Sequence, residues 1–326
     1  MSLFALIAAL LLEQLHPLST RKYLHGWLSD YVNFFQQHFN TGQRKHGKIA
    51  WLMAVLPLLF GVVALSWLLY RVHPIFAWAF NVLVLYLTMG FRQFSHYFTD
   101  IHHALRDGRL DEARGLLTQW RGIPSHELNA EEVARVTIEE ALIASHRNVF
   151  GVIVWFVLFS AVGLGGAAGA LLYRLGQFLR KRWGDEDAAA DLDELDGLMG
   201  RGWGGGEFGG FARQAFYVLE WLPIRLTAAT FAIVGDFEDT VYCWRTQASS
   251  WSDPEAGILL ASGAGALGVR LGMPIMQGGL PLDRPELGVG DDADADFMRS
   301  TIGLVWRSVV FWLILLLLLT LASLLG

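Results

Sequence analysis

Four long stretches without a charged residue limit the folds open to this chain of 326 residues. They comprise 22, 20, 26 and 19 residues, and a helix needs about 20 apolar residues to cross the hydrocarbon core of a bilayer. The chain is also only 17% charged, whereas about 25% of the residues of an average soluble domain are charged. A soluble protein is therefore almost excluded, and we expect an all-α, polytopic integral membrane protein. The stretches are residues 49–70, 72–91, 148–173 and 308–326.

A fifth apolar stretch and a glycine-rich one set the expected number of membrane segments at four to five. Residues 1–12 have neither a basic start nor a small-residue cleavage site, so they resemble an uncleaved anchor or a half-buried helix more than a signal peptide. The second half of 148–173 is rich in Gly and Ala, which permits either close helix packing or a broken, re-entrant segment. Basic residues flank both ends, at Arg147 and Arg174, and one crossing cannot leave both ends in the cytoplasm.

Composition predicts six regions, with helical cytoplasmic loops between the membrane segments. Within the first loop we predict helices at 93–107, 110–120 and 130–145, the last starting after Asn129. A helix at 211–235 is expected to be interrupted at Pro223, and the acidic run 291–296 to be a solvated linker. The regions are 1–91 (N-terminal anchor and transmembrane hairpin), 92–147 (cytoplasmic helical segment), 148–183 (Gly-rich membrane segment and basic flank), 184–210 (acidic, Gly-rich linker), 211–307 (amphipathic, Gly-rich ligand-site region) and 308–326 (C-terminal transmembrane anchor).

Charge and cysteine content narrow the expected location and partners. The formal net charge of −6 argues against nucleic-acid binding, and a single cysteine, Cys243, excludes an intrachain disulfide. Basic residues flank the hairpin 49–91 more heavily than its joint at residues 71–74, so both flanks are expected in the cytoplasm. We therefore expect a multi-pass protein of the bacterial inner membrane, with the lipid bilayer as its partner. Whether copies of the chain associate is left open.

One predicted helix face and several isolated charges are candidates for a ligand site. His96, Asp100 and His103 fall at i, i+4 and i+7, with Arg92 one turn earlier, so they share a face. That face is open to three interpretations: solvated, lining an anion site, or holding a metal; we assign no metal ligands. Glu139 lies four residues after Arg135, which allows a salt bridge between them. Glu140 is a further candidate, with a solvated helix face as the alternative. The remaining candidates border apolar segments, where snorkelling of arginine to the interface is the alternative: Arg174, Glu220, Arg225 and Arg270.

The segment 263–268, GAGALG, formally matches the G-x-G-x-x-G pattern of dinucleotide-binding sites. That interpretation requires a strand before the glycines and a helix after them, and the chain shows no alternation of strands and helices. We do not expect a dinucleotide site here.

Five segments carry a resemblance to a known family. They are LEQLHP at 12–17, ALRDGRLDEAR at 104–114, GALLYR at 169–174, WLPIRLTA at 221–228 and GALGVRLG at 265–272. In their order and rough spacing they resemble the CobD/CbiB family of membrane proteins. The resemblance implies adenosylcobinamide-phosphate synthase chemistry, in which an amide bond joins adenosylcobyric acid to an aminoalcohol or its phosphate. ATP would be consumed, with Mg²⁺, and Tyr173 joins the candidate ligand-binding residues.

Several carboxylates and amides of the family pattern are absent, and Phe216, Tyr217 and Glu220 stand at such positions. This departure resembles the AmpE-like branch of the same superfamily, which is associated with β-lactamase induction and cell-wall state. Two functions therefore stay open: a cobalamin-pathway enzyme with a corrinoid ligand, or a non-catalytic membrane sensor with a cell-wall-derived ligand. In either case Arg92, His96, Arg174, Arg225 and Arg270 are predicted to line one cavity.

Overall fold

The computed structural model describes residues 2–15, 21–40, 43–185 and 207–325. Most of them lie in helices, which confirms the predicted all-α class. Among these residues, four helices are long and apolar enough to cross a membrane, in agreement with the four to five segments expected. The acidic, glycine-rich linker predicted at 184–210 falls mostly outside the described residues. The candidate spans are Arg44–Val72, Ala130–Ala161, Phe208–Val234 and Ala295–Ala322.

The elements are labelled in chain order, and α7 and α9 continue into π-helical turns at His146–Phe150 and Arg180–Asp185. The helices are α1 (Ser2–Leu15), α2 (Arg21–Phe39), α3 (Arg44–Val72), α4 (Pro74–Thr88), α5 (Phe91–Arg106), α6 (Leu110–Arg121), α7 (Ala130–Ser145), α8 (Gly151–Ala161), α9 (Gly166–Leu179), α10 (Glu207–Val234), α11 (Phe237–Gln247), α12 (Pro254–Leu267) and α13 (Ala295–Leu325). The strands are β1 (Val269–Gly272), β2 (Ile275–Gln277), β3 (Leu280–Leu282), β4 (Glu286–Leu287) and β5 (Asp291–Asp292).

The chain divides into two compact units, and the first comprises Met1–Met89 and Gly151–Trp221. Its helices α3 and α4 form the predicted hairpin. His73 joins them and accepts a hydrogen bond from the Ile75 N–H at its Nδ1, which caps the start of α4. Helix α4 begins at Pro74 and ends at Thr88, so it has 15 residues and is shorter than the predicted stretch of 20. Helix α1 packs against it.

The glycine-rich stretch 148–173 is not one crossing helix but the turn of a helical hairpin. Helix α8 ends at Ala161, and α9 starts at Gly166 and packs back along α8. Gly163 and Gly165 in the turn adopt φ values of +77° and +85°, which residues with a side chain rarely adopt. Of the two predicted alternatives, the broken segment is therefore the one that forms.

Contacts with α3 show where the two ends of the hairpin α8–α9 lie in the first unit. A methyl group added at Gly165 would lie 3.3 Å from Cβ of Ser66, so the α8–α9 turn lies near the end of α3. At the other end, Trp183 and Phe208 share a buried cluster with Ala50 and Ala54. The hairpin α8–α9 thus returns to the basic start of α3. Helix α2 packs its aromatic residues onto the same cluster, with Tyr31, Phe35 and Phe39 partly buried there.

Helix α10 runs through Pro223 without the predicted interruption. Proline has no N–H, so the Leu219 carbonyl one turn earlier loses its usual helical donor. The Trp155 indole N–H donates to that carbonyl at 2.9 Å and replaces the missing hydrogen bond. This compensation is one reason why α10 stays continuous and long enough to count among the candidate spans.

The second unit comprises Gly90–Phe150 and Leu222–Gly326. Helices α5, α6 and α7 lie within two residues of the predicted boundaries and pack on one another. Asn129 begins α7 with a capping box. Its side chain accepts from the Glu132 N–H at 2.9 Å, and the Glu132 carboxylate accepts from the Asn129 N–H at 2.7 Å.

Five short strands follow α12, where the sequence predicted none. Strand β1 pairs with β4 and β5, and β2 and β3 form a separate hairpin. Because Asp291 and Asp292 form β5, the acidic run 291–296 is not a linker, and α13 begins at Ala295. The GAGALG segment ends α12 and precedes β1, the reverse of the strand-to-helix order of a dinucleotide site. Its glycines permit close packing instead, since a Cβ at Gly265 would lie 2.5 Å from the Asp239 carbonyl oxygen.

Candidate functional site

A buried carboxylate in the first unit forms the strongest candidate site. The side chain of Glu220 on α10 is 1% exposed. The hydroxyl of Tyr173 on α9 lies 3.4 Å from Glu220 Oε1, and Nη1 of Arg180 lies 3.5 Å from Oε2. A carboxylate taken out of water needs such partners, since an unpaired buried charge is costly. The structure therefore brings together two predicted site residues, Tyr173 and Glu220, and adds Arg180.

Close packing of α8, α9 and α10 positions these groups. A Cβ at Gly151 would lie 2.2 Å from the Tyr173 ring, so only glycine leaves room for the phenol. The Phe216 ring contacts Tyr173, with 5.6 Å between ring centroids, and the Arg180 guanidinium, at 5.5 Å from its centroid. Phe216 stands where the resemblance led us to expect a carboxylate, and it packs the site instead of adding a charge.

The geometry favours binding of an anionic group. The Arg180 side chain is 21% exposed, whereas Glu220 beneath it is 1% exposed. Glu220 and Phe216 hold the guanidinium in place, and a planar guanidinium binds carboxylates and phosphates through paired hydrogen bonds. The neighbouring Arg174 donates to Gln177 Oε1 at 2.6 Å.

The predicted helix face of α5 forms only a short contact at the surface. His96 Nδ1 lies 3.4 Å from Asp100 Oδ2, with the two side chains 75% and 40% exposed. His103 is exposed beside His102, at 5.6 Å between ring centroids. The described residues contain no group of three His, Cys, Asp or Glu side chains that would hold a metal ion. The Arg92 side chain lies outside the described residues.

The remaining candidates of the second unit lie in ion pairs or at half-buried positions. Arg270 donates to Asp292 Oδ1 at 2.5 Å, and its Nη1 lies 3.9 Å from Glu286 Oε1. Glu140 accepts from Arg121 at 3.1 Å, and Arg225 is half-buried on α10. Tyr173, Arg174 and Glu220 belong to the first unit and the other candidates to the second, so the single cavity stays a prediction.

Sequence reasoning assigned Glu139 the wrong partner. Arg135 pairs with Glu131, and Glu139 accepts from Arg284 Nη1 at 2.7 Å and from the Gly272 N–H at 2.8 Å. Arg284 also donates to the Gly272 carbonyl at 2.8 Å. These contacts connect the end of β1 and the segment that carries Arg284 to α7. No local signal in the sequence could identify Arg284, since 145 residues separate the partners.

Two buried titratable side chains outside the candidate spans, His102 and Cys243, have shifted pKa values. Burial, assisted by His103 and Arg106, lowers the pKa of His102, against the opposing effects of the Ala295 backbone and Asp296. Burial raises the pKa of the Cys243 thiol to about 11, and Asp239 adds to the shift. Cys243 is therefore protonated at neutral pH, which argues against a nucleophilic role.

Comparison with known proteins relates the whole chain to one family. A family model described as CobD/Cbib protein matches residues 3–188 and 197–305. The Cobalamin biosynthesis protein CobD of Stutzerimonas stutzeri is 35% identical over 97% of this chain and 98% of its own length. The protein of the same name from Chromobacterium violaceum is 33% identical over 81% of this chain and 72% of its own. The Cobalamin biosynthesis protein CbiB of Salmonella typhimurium is 26% identical over 89% and 88%. No solved structure matches significantly.

Proposed function

The chain belongs to the CobD/CbiB family, and we propose on that basis that it serves cobalamin biosynthesis as a multi-pass protein of the bacterial inner membrane. The observation that carries the proposal is the match to relatives named for cobalamin biosynthesis along 97% of the chain. A match of that extent includes both units and the buried Glu220 site. The four candidate spans support the location in a membrane.

The reaction that we propose is the formation of an amide bond. The carboxyl group of adenosylcobyric acid would be joined to the amine of an aminoalcohol or its phosphate, with ATP consumed. Both nucleotide and aminoalcohol phosphate are anions, which agrees with the partly exposed cation of the candidate site. Arg180 would bind a phosphate or carboxylate of a substrate, and Glu220 and Tyr173 would position Arg180.

Mg²⁺ commonly accompanies ATP in such reactions and is held by one or two carboxylates together with phosphate oxygens. The described residues do not form a group that would hold it alone, and Glu220 already faces Arg180 and Tyr173. The described part of the chain thus does not fit a resident metal ion, and we derive no step through one.

Growth of a host that lacks its own CobD/CbiB protein tests the proposal. We expect this chain to restore growth that depends on cobalamin synthesis, and the purified protein to join adenosylcobyric acid to aminopropanol phosphate in the presence of ATP. Failure of both, with normal cobalamin formation in a deletion strain of the native host, would reject the proposal. A change in β-lactamase induction in that strain would then favour the AmpE-like alternative.

The Arg180→Gln variant tests the site separately. We expect a rise in KM for the anionic substrate of about tenfold or more, because a hydrogen bond to a charged group contributes about 1.5–3 kcal/mol. Arg180→Lys should recover part of the loss, since it keeps the charge but not the planar guanidinium. An unchanged KM in Arg180→Gln would remove Arg180 from the site.

A further inference from the structure

A cationic cavity lies at the start of α3, within the first unit. Its volume is about 560 Å³, inside the range of roughly 300–1,000 Å³ typical of small-molecule sites. The start of α3, together with the residue just before it, forms one side of the cavity, and α10 forms the other side. The described lining residues are Gln43, Arg44, Lys45, Lys48, Phe211 and Gln214.

The charge of this cavity favours an anion. Arg44, Lys45 and Lys48 bring three positive charges to one turn of helix, and none of the described lining residues is acidic. Arg44 is oriented by a hydrogen bond from its Nη2 to Gln214 Oε1 at 2.6 Å. Gln43 makes no side-chain cap to α3, whose first turn has no acid. Like charges held together repel one another, and a phosphate between them relieves that repulsion.

The surroundings of the cavity favour a lipid over a free ion. Phe211 supplies an apolar wall and packs edge-on against Trp51, at 5.8 Å between ring centroids. Directly after Lys48 the uncharged part of the candidate span Arg44–Val72 begins, and its residues Ile49 and Met53 are 47% and 51% exposed. A molecule with a phosphate in the cavity therefore finds an exposed apolar helix surface beside it, suited to acyl chains.

We propose that this cavity binds the phosphate of an anionic phospholipid headgroup, with the acyl chains along α3. Basic residues at the cytoplasmic end of a span are attracted to anionic lipids, and the cavity adds a defined place for the headgroup. The proposal does not depend on the amide-forming activity and stands if that activity is absent.

Native mass spectrometry of the full chain, released from nanodiscs with equal phosphatidylglycerol and phosphatidylcholine, measures lipid retention. We expect the wild type to retain phosphatidylglycerol preferentially. The triple variant Arg44→Gln, Lys45→Gln, Lys48→Gln should bind it on the order of 100-fold more weakly, at about fivefold for each basic residue. Phe211→Ala should weaken lipid retention as well, because it removes the apolar wall.

Matched controls separate the cavity from general charge. Arg106→Gln, Arg109→Gln, Arg299→Gln removes three exposed cations outside the cavity and should leave retention unchanged. Thermal unfolding of each variant in detergent checks that it is folded, and Arg44→Lys, which keeps the charge, should retain the lipid. Equal phosphatidylglycerol retention by wild type and the folded triple variant would overturn the proposal. Displacement of the lipid by inorganic phosphate, with Phe211→Ala unaffected, would do the same and assign the cavity to a soluble phosphate compound.

Discussion

At the scale of single residues, the buried charges depend on partners far away in sequence. Glu139 and Glu220 are 5% and 1% exposed, and each faces an arginine 40 or more residues distant. The two ion pairs differ in how far the arginine side chain is exposed to solvent. The side chains of Glu139 and Arg284 are both almost buried and connect one segment to α7, whereas the Arg180 side chain is 21% exposed. The burial of the first pair indicates a structural role, and the greater exposure of Arg180 supports the binding role that we propose for the second.

Loss of the Glu139 carboxylate should destabilise the protein strongly. Glu139→Ala leaves Nη1 of Arg284 and the Gly272 N–H without their carboxylate acceptor, and breaking a buried ion pair costs about 3–5 kcal/mol. This destabilisation is measured as the change in the free energy of unfolding in mixed detergent micelles. Glu112→Ala serves as the control, because its solvent-exposed pair with Arg109 should contribute little to stability. Equal losses in both variants would contradict the assignment.

His102 should make stability depend on pH. Its pKa is lowered in the folded state, so below the ordinary value of about 6.5 the unfolded chain binds more protons than the folded one. Stability from this group is thus present at neutral pH and decreases as the pH falls through that value. Between about pH 7.5 and pH 5, His102→Gln should show a smaller decrease in melting temperature than the wild type.

His96→Gln is the matched control for this pH effect, since the His96 side chain is 75% exposed on the same helix. Its melting temperature should follow the wild-type pH dependence. A His102→Gln profile that coincides with the wild type would show that His102 does not contribute.

At the scale of elements, the glycines of α9 decide how the hairpin α8–α9 packs. A Cβ at Gly169 would lie 2.1 Å from the Trp155 carbonyl oxygen, and one at Gly166 would lie 2.4 Å from the Phe156 ring. The backbone of α9 therefore contacts α8 directly, as small residues allow in membrane helices. The stretch looked like one long span because its composition is apolar throughout, but its small residues allow the chain to turn back.

Gly169→Ala should destabilise the hairpin even though alanine favours helices by about 1 kcal/mol over glycine. The added methyl group meets backbone atoms that cannot rotate away, and overpacking costs about 1–3 kcal/mol. Gly115→Ala on α6, where no atom lies within 4 Å of the added Cβ, should instead be neutral or stabilising. Thermal unfolding of both variants compares them, and a Gly169→Ala protein as stable as Gly115→Ala would contradict the packing.

At the scale of the whole molecule, the hairpin settles how charges are arranged in the first unit. The α8–α9 turn lies near the end of α3, and Trp183 near its start. Basic residues at 44, 45 and 48 and those of the Arg180–Asp185 turn thus lie toward one end, which agrees with the excess of basic residues in cytoplasmic segments. The sequence alone could not assign both Arg147 and Arg174 to the cytoplasm across one crossing.

Single cysteines should report this arrangement in a Cys243→Ala background. A membrane-impermeant maleimide should label Val72→Cys and Val162→Cys in intact spheroplasts, because both residues are exposed near the same end of α3. Lys45→Cys and Lys181→Cys should react only after the membrane is permeabilised. Labelling of Val162→Cys together with Lys45→Cys on one side would show that α9 does not return.

The sequence by itself determined the class of this protein, because stretches of about 20 uncharged residues have no other common use than membrane spans. It also determined α5, α6 and α7, whose periodicity and Asn129 cap are local signals. Only the tertiary structure decided that 148–173 turns back, that α10 continues through Pro223, and that Glu139 pairs with Arg284. Each of these depends on a contact between distant residues, such as the Trp155 N–H on the Leu219 carbonyl, which local patterns do not encode. The candidate site followed the same division: Tyr173 and Glu220 were predicted from the sequence, and only the packing brings Arg180 beside them.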